Sequence, residues 1–193
     1  MPLLDEALRT RLLYSLSDFQ QALSAAELLA DCDPDRPISK KELGRFRCYE
    51  TTLVVAYMRP FSQAKGDIPR LTLEKCRVSL SEEQLRLHDQ LHMQRNKIFA
   101  HSDGDLMRMA VASHEHRFED GASIVMFRTV YDEGISLLEP DLLKVRDLIN
   151  TLYFGIYEQI WAEAQQDPTL YNFKRDYLEG LHPNHLAPSP PLP

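Results

Sequence analysis

The sequence predicts a mainly α-helical protein: an up-and-down bundle of four main helices, with a β-hairpin inserted between the third and fourth over about residues 105–132. Three observations carry this expectation. Apolar residues recur every three or four positions along most of the chain, the spacing that gathers them on one face of a helix. Helix-start signals stand before the second and third of these stretches. Between about 106 and 134 the period changes, and β-branched and aromatic residues gather around an Asp-Gly pair. A chain of 193 residues, 44% of them hydrophobic, is long enough to bury a core as one domain. None of its apolar runs approaches the roughly 18 residues that a membrane-spanning helix needs.

Each element follows from its residues. Leu4, Leu8, Leu12, Leu16, Phe19, Leu23 and Ala26 line one face of a first helix from Leu4 to about Ala30. "DCDPDRP" (31–37) ends it, because proline cannot continue a helix and aspartate favours turns. Ser39 with Glu42 three residues on is a capping box that opens a second helix, which carries Phe46, Tyr49, Leu53 and Ala56 inward to about Met58. Residues 59–81, punctuated by Pro60, Gly66 and Pro69, make a long connection that reads as functional or as a cover. Ser81 with Gln84 opens a third helix from about Glu82, with Gly104 as its left-handed stop. Asp120-Gly121 marks the hairpin turn. Glu139-Pro140-Asp141 opens the last long helix, striped by Leu142, Val145, Ile149, Leu152, Ile156 and Ile160. A short helix is expected after Pro168. "HPNHLAPSPPLP" (182–193) reads as a proline-rich mobile tail, which leaves 1–181 as a single domain.

Composition bounds the function. Asp5, Glu6, Arg9 and Arg11 interrupt the leucines of the N-terminal stretch, so no secretory segment is read and the cytoplasm is the expected compartment. Cys32, Cys48 and Cys76 are isolated and odd in number, the pattern of reduced structural thiols. The net charge of −7 speaks against a broad electrostatic grip on long nucleic acid, while leaving room for a local phosphate site.

The end of the third helix carries the chemistry. "HMQRNKIFAHSDGD" (92–105) holds Arg95, Asn96 and Lys97 within one turn and His101 where the helix ought to stop. Cutting RNA without a metal needs a base for the 2′-hydroxyl, a cation for the charged phosphorane and an acid for the leaving oxygen. Histidine suits the proton transfers, and the planar guanidinium suits two phosphate oxygens. Along one continuous helix, Arg95 and His101 would point roughly 120° apart with about 9 Å between them along the axis. They would converge only if the helix loosened or two copies met. His92 shares the face of Arg95, and Lys97 that of His101. Basic residues at a helix C-terminus are also favoured by capping and by the helix dipole alone.

"RNKIFAH", Arg95 to His101, resembles the arginine–polar–x(4)–histidine motif of the HEPN superfamily, and with the following Ser-Asp it is similar to the abortive-infection branch. The likeness implies a four- to five-helix up-and-down bundle that is usually a homodimer. It also implies a metal-independent endoribonuclease of toxin or defence type, with arginine and histidine of both protomers lining one cleft. Carried over, Arg95 binds the scissile phosphate, Asn96 is the polar second position and His101 is the catalytic histidine, with Lys97 and His92 as candidate substrate-binding residues. RNA is the implied substrate, and an antitoxin or regulatory protein a possible partner. Asp103 stands where some toxins of the family carry a modifiable tyrosine, which argues against that mode of control. The hairpin is not part of the family's minimal bundle. A non-catalytic binding module of the same fold, for RNA, a nucleotide or a protein, is the alternative.

Other signals are weaker. His88 and His92 stand four apart, but without a nearby third ligand they read as a solvated or cleft-lining pair. His114 and His116 share one strand face, a solvated edge that discourages strand addition. Asp103 and Asp105 begin a calcium-loop pattern that His114 breaks at its twelfth position. Tyr153, Phe154, Tyr157 and Trp161 face more than one side of the last helix, as core filling or as an interface. No metal or organic cofactor is expected.

Overall fold

The apolar stripes fold into four helices, α1 (Glu6–Leu29), α2 (Lys40–Met58), α3 (Glu82–Gln94) and α4 (Asp141–Gln166). The computed structural model describes residues 4–33, 35–63, 68–96, 109–131, 137 and 141–171; among these the protein is mainly helical with one two-stranded antiparallel sheet. Three helices begin on a side chain that takes over an amide the helix leaves free. Asp5 accepts from the Leu8 N–H at 2.9 Å, a cap the sequence reading had not named. The boxes at Ser39/Glu42 and Ser81/Gln84 both form. Each such cap contributes about 1 kcal/mol.

The helices meet in a ring, with α1 against α2 and α4, and α3 against the same two. Leu12, Phe19, Phe46, Leu53, Val145, Ile149, Leu152 and Ile156 are buried in one cluster between them, as their spacing predicted, and Leu91 of α3 joins them. No helix among the described residues is long and apolar enough to cross a membrane. Cys32 and Cys76 are buried, but Cys48 is exposed on α2, so it is not the structural thiol expected. Burial pushes the Cys76 thiol up to about 12.

The long connection after α2 covers the bundle. Leu71 is buried, its N–H donates to the Pro60 carbonyl at 3.0 Å, and the Pro69 carbonyl accepts from Arg11 Nε at 2.7 Å. A short 3-10 turn, Glu74–Cys76, then lies against α4. Gln159 Nε2 donates to the carbonyls of Lys75 at 3.1 Å and Cys76 at 2.9 Å. Gly155 lets this approach happen, since a Cβ there would collide with the Val78 side chain and stand 2.9 Å from the Cys76 carbonyl.

The hairpin forms as β1 (Met109–Arg117) and β2 (Ser123–Tyr131), with Ser113 opposite Phe127. Gly121 adopts φ 85, and its N–H donates to the Phe118 carbonyl at 3.0 Å while the Phe118 N–H donates to the Ala122 carbonyl at 2.8 Å. The Asp-Gly pair thus turns the chain as predicted, through a longer loop with glycine in the left-handed position rather than a two-residue turn. Beyond β2, Leu137 is buried and its N–H donates to Glu50 Oε1 at 2.9 Å. After α4 the expected short helix is a 3-10 turn, Pro168–Tyr171. The stop at Gly104, the start at Pro140 and the tail at 182–193 lie outside the described residues.

One carboxylate closes the ring. Glu163 of α4, buried to 1%, accepts from the Leu4 N–H at 2.6 Å, from Arg9 Nε at 2.7 Å and Nη2 at 3.0 Å, and from the Tyr171 hydroxyl at 2.6 Å. The Arg9 hydrogen bonds hold this carboxyl at about 2 against an ordinary 4.5, with Tyr171 and Leu4 helping against the opposing effect of burial. A carboxyl with a depressed folded pKa adds stability above its unfolded pKa, and that stability fades as pH falls toward the folded value. We expect Glu163→Gln to lower the free energy of unfolding by about 3 kcal/mol above pH ~5, with the gap from the parent narrowing toward pH ~2, read from urea midpoints. Gly155→Ala should destabilise the protein by about 1–3 kcal/mol in the same assay, opposite to the gain that alanine brings in an open helix.

Candidate functional site

α3 is committed to the core by few residues. Of its side chains only Leu87, Leu91 and Gln94 are buried, and apart from the exposed Leu85 and Met93 the rest of its surface is polar. The α-helical winding stops at Gln94; Arg95 is the C-cap, its N–H reaching the carbonyls of His92 and Leu91, and residues 95 and 96 are wound as a π turn. The motif therefore does not begin inside a continuous α-helix, and the ideal 120° separation of Arg95 and His101 does not carry over. Lys97 and His101 lie outside the described residues, so the structure places Arg95, Asn96 and His92 and is silent on the other two.

Those three side chains form a chain of contacts. Arg95 Nη1 donates to Asn96 Oδ1 at 2.8 Å, and Asn96 Nδ2 lies 3.4 Å from His92 Nδ1 and 3.2 Å from Nε2. A guanidinium can only donate, so the amide oxygen faces Arg95 and the amide NH2 faces the imidazole. An amide NH2 can only donate, so the ring nitrogen it faces is the acceptor. Among the described residues, no carboxylate pairs with Arg95, and a single N–H of its five is engaged by a neutral amide. The helix C-terminus, the negative end of the dipole, favours the cation that stands there. A half-buried guanidinium whose other N–H groups meet no partner among the described residues can take two oxygens of a phosphate.

One turn back, His88, expected from its spacing to form a solvated or cleft-lining pair with His92, is packed against α2. Its Nδ1 is 2.7 Å from the Tyr57 hydroxyl, and its ring packs edge-on to Phe61 at 4.8 Å and Tyr57 at 5.8 Å. Burial, aided by the neighbouring His92 and opposed by Asp89, lowers the His88 pKa below its ordinary 6.5, so the ring is held neutral against α2. Spacing along α3 could not show this, because Tyr57 stands 31 residues away in sequence. No group of three metal-ligating side chains occurs among the described residues. His114 and His116 do share a strand face, and both are exposed.

The chain matches no family model, no curated protein and no solved structure.

A histidine held neutral in the folded state binds fewer protons than in the unfolded chain, so stability falls as pH drops below 6.5. Replacing His88 by Gln should flatten that loss between about pH 5 and 7, measured as the melting temperature of parent and variant across the range.

Proposed function

We propose that the end of α3 is a phosphate site for RNA, and that the protein is a metal-independent endoribonuclease of toxin or abortive-infection type with a HEPN-like bundle. The observation that carries this reading is the half-exposed Arg95 guanidinium, tethered on one side by Asn96 at 2.8 Å and engaged by no acidic side chain among the described residues. It begins the Arg-Asn-x(4)-His spacing at the end of a bundle helix. In this scheme Arg95 binds the scissile phosphate and stabilises its added charge. Asn96 fixes the guanidinium, His92 and Lys97 border the RNA, and His101 transfers the proton. The 2′-oxygen attacks phosphorus as its proton leaves, the bond to the 5′-oxygen breaks, and that oxygen takes up a proton, giving a cyclic phosphate and a 5′-hydroxyl. Two protomers supplying one cleft would bring an arginine and a histidine together, with an antitoxin or regulatory protein as the restraint.

A HEPN-fold module that binds RNA, a nucleotide or a protein without cutting is the second reading, favoured by the net charge of −7. Cleavage of single-stranded RNA in excess chelator separates the two. We expect the parent to cut, and Arg95→Ala and His101→Ala each to slow cutting by about 10²–10⁴-fold, with helical content unchanged by circular dichroism. Cutting that ignores both substitutions, or that chelator abolishes, overturns the mechanism. Binding without cutting selects the second reading.

A further inference from the structure

We infer that the hairpin is an interface between two copies of this chain, joined antiparallel through their β2 edges into one four-stranded sheet with the order β1–β2–β2–β1. The hairpin cannot rest on itself. Every residue from Val111 to Phe127 is exposed, and a lone two-stranded ribbon is marginal in water unless further strands or a helix support it. Val111 and Val125, each 55% exposed, and Phe127 at 74% share one face of the ribbon, where Val111 stands next to Ser113 along β1 and Phe127 pairs with Ser113 across it.

The two edges differ in chemistry. β1 carries His114, Glu115, His116 and Arg117 in succession, with Arg117 Nη2 3.2 Å from Glu115 Oε2, the charged pattern that discourages strand addition. β2 offers Ser123, Ile124, Val125, Met126 and Phe127, five residues without an ionisable group. The backbone is aimed to match. The Phe118 N–H to Ala122 carbonyl bond sets the alternation of the ladder, so Ile124 and Met126 bond toward β1 while Ser123, Val125 and Phe127 turn their N–H and C=O outward.

A twofold axis at Phe127 uses all nine residues of β2. Phe127 then faces its own copy, Ser123 stands opposite the partner's Tyr131, and Arg128, the sole charged residue of β2, stands opposite the partner's Met126. No carboxylate enters the seam. The same operation on β1, centred on Ser113, would set Glu115 against the partner's Val111 and Arg117 against the partner's Met109, so each copy would bring a carboxylate and a guanidinium to the seam where β2 brings Arg128 alone. Once the β2 edges are paired, the edges that remain are the two charged β1 strands. Growth therefore closes at two copies, as an isologous interface requires.

The nuclease reading also brings two protomers together without fixing where they join, and the β2 seam is tested by its own substitutions, without RNA. Sedimentation equilibrium of the full chain should give a dimer. Phe127→Pro, which removes an outward N–H that β1 does not use, and Val125→Lys, which adds a charge to the seam, should each raise the dimer Kd by roughly tenfold or more, with helical content retained. In a Cys48→Ser background, Phe127→Cys should form a disulfide-linked dimer on mild oxidation and Val111→Cys should not, because only residue 127 meets its copy within bridging distance. A monomeric parent, a dimer whose Kd neither substitution changes, or a Phe127→Cys chain that fails to cross-link each overturns the interface.

Discussion

The bundle depends on a single buried carboxylate meeting the two ends of the described chain. A bundle of four helices is a ring only if the last helix returns to the first, and side-chain burial alone leaves the ends of that seam free to slide. Glu163 fixes them. It takes an N–H from Leu4, two from Arg9 and the hydroxyl of Tyr171, so the start of α1, the end of α4 and the turn that follows converge on one group. Taking such a carboxylate out of water is costly, and four donors on its two oxygens offset the cost. The same logic recurs at lower density. Asp18 of α1 pairs with Arg59 at the end of α2 at 2.5 Å, and Glu50 of α2 holds the Leu137 N–H. Buried acids thus set the register of a core that hydrophobic packing alone would leave less specified.

Against this frame α3 stands out as the helix with the least in the core. It is held by two leucines, by Gln94, by the contact of His88 with Tyr57 and Phe61, and by Gln84 and Glu83, which bond to Asp147, Thr151 and Lys144 of α4. A helix so anchored can present polar side chains in fixed positions without its own packing dictating what they are. The π turn at residues 95 and 96 follows directly after Gln94. It leaves Arg95 at a helix end, where the amide of Asn96, rather than the core, determines which way the guanidinium points. The site reading and the fold are linked through that placement.

The hairpin obeys a different rule. Its strands pair with one another over nine residues each, its turn is fixed by Gly121 in the left-handed region, and its exposed faces keep apolar side chains in water. Local chemistry suffices to form the ribbon and to tell its two edges apart, charged along β1 and uncharged through the first five residues of β2. The same distinction bounds how far pairing can extend.

Much of this was readable from residue order. The stripes of α1, α2 and α4, the two Ser-opened capping boxes and the Asp-Gly turn are local in sequence, and periodicity and hydrogen-bond chemistry act over three or four residues, so the elements that form are the elements expected. Three things were decided only by tertiary structure. His88 looked like one of a solvated or cleft-lining pair with His92, yet α2 brings Tyr57 and Phe61 onto it and makes it a neutral, packed ring. Glu163 and Arg9 stand 154 residues apart with no local signal joining them, and ring closure makes them a buried pair. The α-helix that was to carry Arg95 onward ends at Gln94, so the angle computed for an ideal helix does not apply across the motif. In each case sequence spacing measures distance along the chain, whereas burial, charge state and direction depend on what another segment places in space.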